Sequence, residues 1–425
     1  MGKIYDTLII GSGVSGLYSA KLLKEKGFRV AVLEADSIVG GRTRQNTTFT
    51  QWPVELGGEM IHGQDTLYYE LAKQNGWEIF EVFEEDLFTS KRKSTYFYLG
   101  RERKLVGPDQ VDKDMEKLFG ELTSLSEVPN PPKNENLLQH LVSRGVPFRM
   151  LGLADAVYSK TWGTNLDRIG LKQAGIEDKK YHKIPKNFKL QGSSKVLVEW
   201  LSNGLDIHTN SKVVMIDSSN QDSLTRVELQ NGETILAKKV IVTVPLAILK
   251  RGDIKFEPSL PKEKQEAIRI MQMDGGMKII AKFSHKFWTH TTRVSPGTNV
   301  ELVLCGDSTV PQIWMDGAPC RHVPKGEQPE YVCVGFITGD QAISFAALSE
   351  KQQIRVFLEQ LDAMFGDVTN QFTPASKCYI SHIVFDWQKQ PFVSGAYAFP
   401  CTIPKDSFID SSPNIILSNV IIQNI

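Results

Sequence analysis

Gly11-Ser12-Gly13-Val14-Ser15-Gly16 follows a short apolar run, and Glu34 stands at the tip of the next one. Strand, glycine turn, helix, strand and acid in that order form a cradle for an adenine dinucleotide. Gly11 permits the tight turn, Gly13 lets main chain approach the pyrophosphate, Ser15 lies inside the same binding turn, and Gly16 lets helix and strand close together. The amino end of the helix favours the phosphate charge, and Glu34 can accept hydrogen bonds from ribose hydroxyls while repelling a 2′-phosphate. On this unit alone NAD and FAD are both open.

Three further segments could do chemistry. Lys278 sits among apolar neighbours in Gly275-Gly276-Met277-Lys278-Ile279-Ile280-Ala281-Lys282-Phe283, where burial is costly unless the ammonium is paired. His62 closes the glycine-rich run Glu55-Leu56-Gly57-Gly58-Glu59-Met60-Ile61-His62-Gly63, and an isolated histidine is more often a satisfied structural residue than a catalyst. Trp387, Pro391 and Ser394-Gly395-Ala396-Tyr397 place two aromatic residues near the end of the chain, which on their own read equally as packing in a sheet core.

The segment Leu33-Glu34-Ala35-Asp36-Ser37-Ile38-Val39-Gly40-Gly41-Arg42-Thr43-Arg44 resembles the opening of the flavin-containing amine oxidases, in which a G-G-R turn follows the ribose acid. The resemblance implies FAD as cofactor, with Gly41 and the bidentate fork of Arg42 at the pyrophosphate. Residues 55–63 are similar to the segment that passes the flavin in polyamine-oxidase-like members. By that likeness Gly57 and Gly58 bring main chain to the isoalloxazine, Glu59 and Met60 touch the cofactor, and His62 lies at the substrate mouth. Residues 58–61 contain no arginine to grip a carboxylate, which favours an amine lacking one.

The likeness extends through Gly163–Leu171, Leu190–Leu197, Ser211–Asp217 and Val240–Leu246. It implies that Val213 meets the adenine through its main chain. It also implies that Lys278 holds a water beside the hydride-accepting flavin nitrogen, and that Trp387 and Tyr397 form an aromatic wall before the flavin, with Tyr397 facing the amine. The implied activity is FAD-dependent oxidative deamination of an amine, polyamine-like by the His62 segment, with dioxygen as second substrate and hydrogen peroxide as product.

The sequence departs from that pattern in three places. Met60 stands where relatives usually carry Trp, and Asp36 where they commonly carry Arg. After Ser412-Pro413-Asn414-Ile415-Ile416-Leu417 they continue into Ala-Gly-Glu and a helix, whereas this chain reads Ser418-Asn419-Val420-Ile421-Ile422-Gln423-Asn424-Ile425. A non-catalytic flavoprotein-fold remnant with weakened or lost FAD binding is therefore the alternative reading, and a flavin desaturase of a lipophilic substrate is a third.

The elements that must position these residues begin with a βαβ unit: a strand over Thr7–Ile10, a helix with Val14, Leu17, Ala20 and Leu23 on one face, and a strand over Arg29–Leu33. A hairpin is expected around Thr95–Leu99, solvated because Lys91-Arg92-Lys93 and Arg101-Glu102-Arg103-Lys104 flank it. An amphipathic helix is expected over Asp109–Leu125 and a proline-rich linker over Pro129–Glu135. From Leu190 onward a glycine turn, a helix through Leu197 and Leu201, a strand around Val213–Ile216, a turn at Asn231-Gly232 and a strand at Val240–Val242 read as a return to the first sheet. The expected class is α/β. A discontinuous Rossmann-like FAD-binding domain (1–85, 190–255 and 385–425) would interleave with an α+β substrate-binding domain (86–189 and 256–384).

Composition sets the outer bounds. The 425 residues, 41% of them apolar, suffice for full-sized cores, and 49 basic against 49 acidic residues give no electrostatic case for nucleic acid. No apolar run is long enough to span a membrane, and the opening residues suggest no export signal, so a cytoplasmic protein is expected. The five cysteines include no C-x-x-C pair and the eight histidines lack ligand spacing, so reduced thiols and no metal site are expected.

Overall fold

The computed structural model describes residues 4–82, 94–181, 186–219, 224–289, 293–294, 299–315, 329–366, 374–409 and 421–423. The first sheet grows from the βαβ unit, whose strands are Ile4–Ile10 and Val30–Leu33 around the helix Val14–Glu25. The strand alternates its faces. Leu8 and Ile10 pack with Val240 and Val242 on one side, while Ile9 meets Val32 and Ala20 of the helix on the other. Such two-sided burial suits the continuous apolar runs of a parallel sheet.

Across that sheet the strand order is Asp206–His208, Val30–Leu33, Ile4–Ile10, Thr234–Val242, Thr225–Leu229, Val213–Asp217 and Lys255–Glu257. The first four run parallel. The return of the 190–255 block to the opening sheet is thus present, with Gly232 taking a left-handed φ of 84° at the expected turn. The strand Ile421–Gln423 pairs antiparallel with Val240–Val242 in the same sheet.

A second, seven-stranded sheet has the order Tyr379–Asp386, Gly276–Phe283, Tyr331–Thr338, Gln312–Trp314, Leu302–Gly306, Thr95–Leu99 and Lys104–Val106. Met277, Ile279 and Ala281 pack toward Phe357 and Leu361 of the helix Glu350–Phe365, so the alternate residues Lys278 and Ile280 point to the opposite face. A small three-stranded sheet joins Ile61–His62, Asn187–Leu190 and Ile79–Val82.

The hairpin expected at the surface is buried instead. All five residues of Thr95–Leu99 are buried, because this strand pairs in parallel with Leu302–Gly306 and is covered on both faces. Phe97 and Leu99 face the cluster containing Met115 and Phe119, while Tyr96 and Tyr98 face that of Phe357 and Phe365. Flanking charge misled because the basic residues follow the strand rather than alternate within it; Lys91-Arg92-Lys93 lie outside the described residues. The amphipathic helix is shorter than expected, Lys113–Thr123, with Asp112 capping its amino end through Asp114 N and Met115 N at 3.0 Å.

Cys305, Cys333, Cys378 and Cys401 are buried free thiols, and Cys320 lies outside the described residues. No group of three or more potential metal ligands occurs among the described residues. None of their helices is long and apolar enough to cross a membrane.

Candidate active site

Two cavities meet at Arg42. The first is a groove lined by Gly11, Gly13, Glu34, Asp36, Gly41, Arg42, Lys212, Val213 and Thr243, at the carboxyl ends of the parallel strands. The second, of ≈ 450 Å³, is lined by Arg42, Gly57, Gly58, Glu59, Met60, His62, Lys278, Trp387 and Tyr397 together with residues of the second sheet.

In the groove, Glu34 is buried and shaped by three donors. Ser12 N and Ser12 Oγ reach its Oε2 at 2.7 and 2.6 Å, and Asp36 N reaches Oε1 at 2.8 Å. Gly16 is required by packing, since a Cβ there would fall 2.0 Å from the Gly11 carbonyl oxygen. Beside Gly13 and Gly58, by contrast, an added Cβ would meet nothing within 4 Å, so main chain is open to a ligand at both. Ser15 is exposed and lines neither cavity. Asp36 accepts Arg44 Nη2 at 2.7 Å; burial raises its pKa, but that guanidinium and the Ser37 amide more than offset it.

Arg42 makes no side-chain hydrogen bond or ion pair among the described residues, although it lines both cavities. Burial pulls its pKa down, and only the nearby Tyr397 opposes that. An enclosed guanidinium without an acceptor, next to open glycine main chain, fits an anionic dinucleotide. The residues present therefore suit FAD.

Lys278 is only 2% exposed and spends all three ammonium hydrogens on protein. They go to Glu59 Oε2 at 2.5 Å, the Gly57 carbonyl at 2.8 Å and the Glu55 carbonyl at 3.1 Å. Glu59 Oε1 meets a second ammonium, that of Lys189, also at 2.5 Å. The Trp314 ring lies 4.8 Å from Lys278 Nζ and 5.7 Å from Lys189 Nζ, and stacks on Phe336 at 5.4 Å. Burial raises the Glu59 pKa, and the two lysines overcome it, so the carboxylate is held below its ordinary value.

Glu55 is a structural neighbour rather than a lining residue. Its Oε1 accepts from Ser193 Oγ and Ser194 N at 2.9 and 2.6 Å, and its Oε2 from Gln45 Nε2 at 2.8 Å. Burial pushes its pKa up.

The aromatic wall is fixed by main chain. Trp387 Nε1 donates to the Leu56 carbonyl at 2.9 Å, and the Tyr397 hydroxyl donates to the Thr161 carbonyl. Burial pushes the Tyr397 pKa up. Gly57 has to be glycine here, since a Cβ would overlap the Arg42 carbonyl oxygen at 1.8 Å and the Trp387 ring at 2.8 Å. His62 is exposed on its short strand, with Nδ1 2.7 Å from Asn187 Oδ1.

Thus the structure gathers Lys278, His62, Trp387, Tyr397, Gly57, Gly58, Glu59 and Met60 around one cavity, and Gly11, Gly13, Glu34, Gly41 and Val213 around the other. Sequence reasoning missed Lys189, Trp314, Gln312 and Asn187. Lys189 and Asn187 share one strand of the small sheet opposite Ile61–His62, a pairing no local signal announces.

Comparison with known proteins agrees with this geometry. The chain is 25% identical over 412 residues to polyamine oxidase 5 of Oryza sativa subsp. japonica, covering 92% of this chain and 77% of that one. It is 24% identical over 415 residues to human lysine-specific histone demethylase 2, covering 93% of this chain but 47% of that protein. Cyclohexylamine oxidase from Brevibacterium oxydans has the same fold, with a TM-score of 0.75, 18% identity and coverage of 94% of this chain and 89% of that one. The model of the flavin containing amine oxidoreductases matches residues 14–414, and the chain belongs to that family, with the flavin cofactor this implies.

Proposed function

We propose that the protein is an FAD-dependent oxidase of amines. The observation that carries this reading is the junction at Arg42 of a dinucleotide groove with a cavity walled by Trp387, Tyr397 and the Lys278–Glu59 pair. Bound FAD supplies two-electron chemistry: an amine loses hydride and a proton to become an imine, water hydrolyses the imine, and dioxygen takes two electrons and two protons to give hydrogen peroxide.

The chain's own residues supply orientation and dryness. Glu34 and the Gly11–Gly16 turn hold the nucleotide end, and Arg42 balances phosphate charge. Val157, Leu302, Leu304 and Phe336 line the second cavity and exclude water. Trp387 and Tyr397, pinned by the Leu56 and Thr161 carbonyls, present fixed aromatic faces to an entering amine. Lys278 is held in place by three protein acceptors, which take all three ammonium hydrogens and leave none for the water implied by the family resemblance. The cofactor face of Gly57 and Gly58, the contacts of Met60, and the adenine contact of Val213 complete the assignment.

The test is optical. The protein purified with FAD should be yellow, be bleached anaerobically by an amine, and regain colour in air with release of peroxide. A colourless chain that cannot be reconstituted with FAD would establish the non-catalytic alternative.

A further inference from the structure

Charge in the second cavity is unevenly distributed. Among the described residues Glu59 is the sole acid lining it, against the cations Arg42 and Lys278. The single charge of Glu59 is already outweighed, with one oxygen on Lys278 and the other on Lys189. Glu55 does not line the cavity and is bound by Ser193, Ser194 and Gln45. Two other polar lining groups are held by protein: Gln312 spends both amide hydrogens, on the Ala156 carbonyl at 2.8 Å and Thr161 Oγ1 at 3.0 Å, and His62 is tied to Asn187.

We infer that the cavity selects an amine with a single nitrogen and an apolar remainder, and discriminates against diamines and polyamines. This rests on the amine-oxidase reading and narrows its substrate class, against the polyamine expected from the His62 segment. The reacting nitrogen must carry a free lone pair to expel hydride, and surroundings with two lysines against one carboxylate favour that unprotonated form. A second nitrogen gains nothing there. It must either enter charged, repelled by Lys278 with no further acid among the described lining residues to pair with, or lose its proton in water first. Met60, Val157, Leu302, Leu304, Trp314 and Phe336 instead offer apolar and aromatic surface to a hydrocarbon tail.

The test uses the FAD-loaded enzyme and anaerobic stopped-flow bleaching. Benzylamine and cyclohexylamine are compared with putrescine and spermidine at one pH. The expected result is bimolecular reduction by the monoamines faster than by the polyamines by about tenfold or more. Equal or faster reduction by putrescine or spermidine overturns the inference while leaving the oxidase reading intact. No bleaching by any of the four overturns both. Lys189→Met gives an independent readout: with one cation removed, the putrescine-to-benzylamine rate ratio should rise several-fold, on the order of one charge's repulsion. An unchanged ratio in the folded, flavin-loaded variant refutes the electrostatic basis.

Discussion

Glu59 bridges Lys278 and Lys189, one carboxylate oxygen to each ammonium at 2.5 Å, beneath the ring of Trp314. A buried carboxylate between two buried lysines is costly to dehydrate and still costlier to break, since removing one member strands the others. The arrangement therefore makes Lys278 immobile.

Replacing Lys278 by methionine keeps the apolar stem and removes the charge. Lys278→Met should retain FAD, because Lys278 lies outside the dinucleotide groove. One of the two half-reactions should slow by on the order of 10²-fold, as expected for loss of a fixed charge at the reacting centre. Stopped-flow reduction and reoxidation rates measure this, and unchanged values in both would remove Lys278 from the chemistry.

The same cluster predicts an acid-sensitive stability. The folded pKa of Glu59 lies below its ordinary value of 4.5, so its contribution is present above that pH and is lost as pH falls through the lower folded value. Glu59→Gln should be destabilised at neutral pH by about 3–5 kcal/mol. Its deficit relative to the wild type should shrink on acidification. Thermal melts of both proteins from neutrality downward test the sign, and a deficit that stays constant with pH would contradict it.

Glu34 predicts a separation of binding from turnover. Glu34→Gln keeps the side-chain shape but gives up charged acceptance from Ser12 and from ribose hydroxyls, a loss of about 1.5–3 kcal/mol. FAD titration followed by fluorescence should show roughly tenfold or greater weakening, while the reduction rate at saturating cofactor stays near that of the wild type.

Gly57→Ala should be among the most damaging small substitutions in the chain. Its methyl group would sit 1.8 Å from the Arg42 carbonyl oxygen and 2.8 Å from the Trp387 ring. Backbone must move, at a cost of about 1–3 kcal/mol or more. Loss of flavin retention and a lowered melting temperature are expected. Gly58→Ala, with nothing within 4 Å, should melt like the wild type without FAD and fall short of it when FAD is added.

The nucleotide end of the site was readable because its physics is local: strand, turn, helix and acid lie within Ile4–Glu34 and specify one another. The ring end was readable only by family resemblance. Lys278 meets Glu59 across 219 residues of sequence, and Trp387 meets Leu56 across 331. Lys189 was invisible for the same reason. Its neighbours Phe188 and Leu190 announce a strand, but only the pairing with Ile61–His62 brings it to Glu59. The buried hairpin at Thr95–Leu99 failed differently, because flanking charge says where a strand ends and nothing about what lies above and below it.

Arg42 belongs to both cavities at once. On the proposed assignment one side chain thereby couples tenancy to reactivity: a change in how Arg42 meets the phosphates also changes the electric field in the second cavity. On that assignment evolution or an engineer retunes cofactor retention through Arg42 only by accepting a shift in redox behaviour, whereas Glu34, which lines the groove alone, offers a handle on retention by itself.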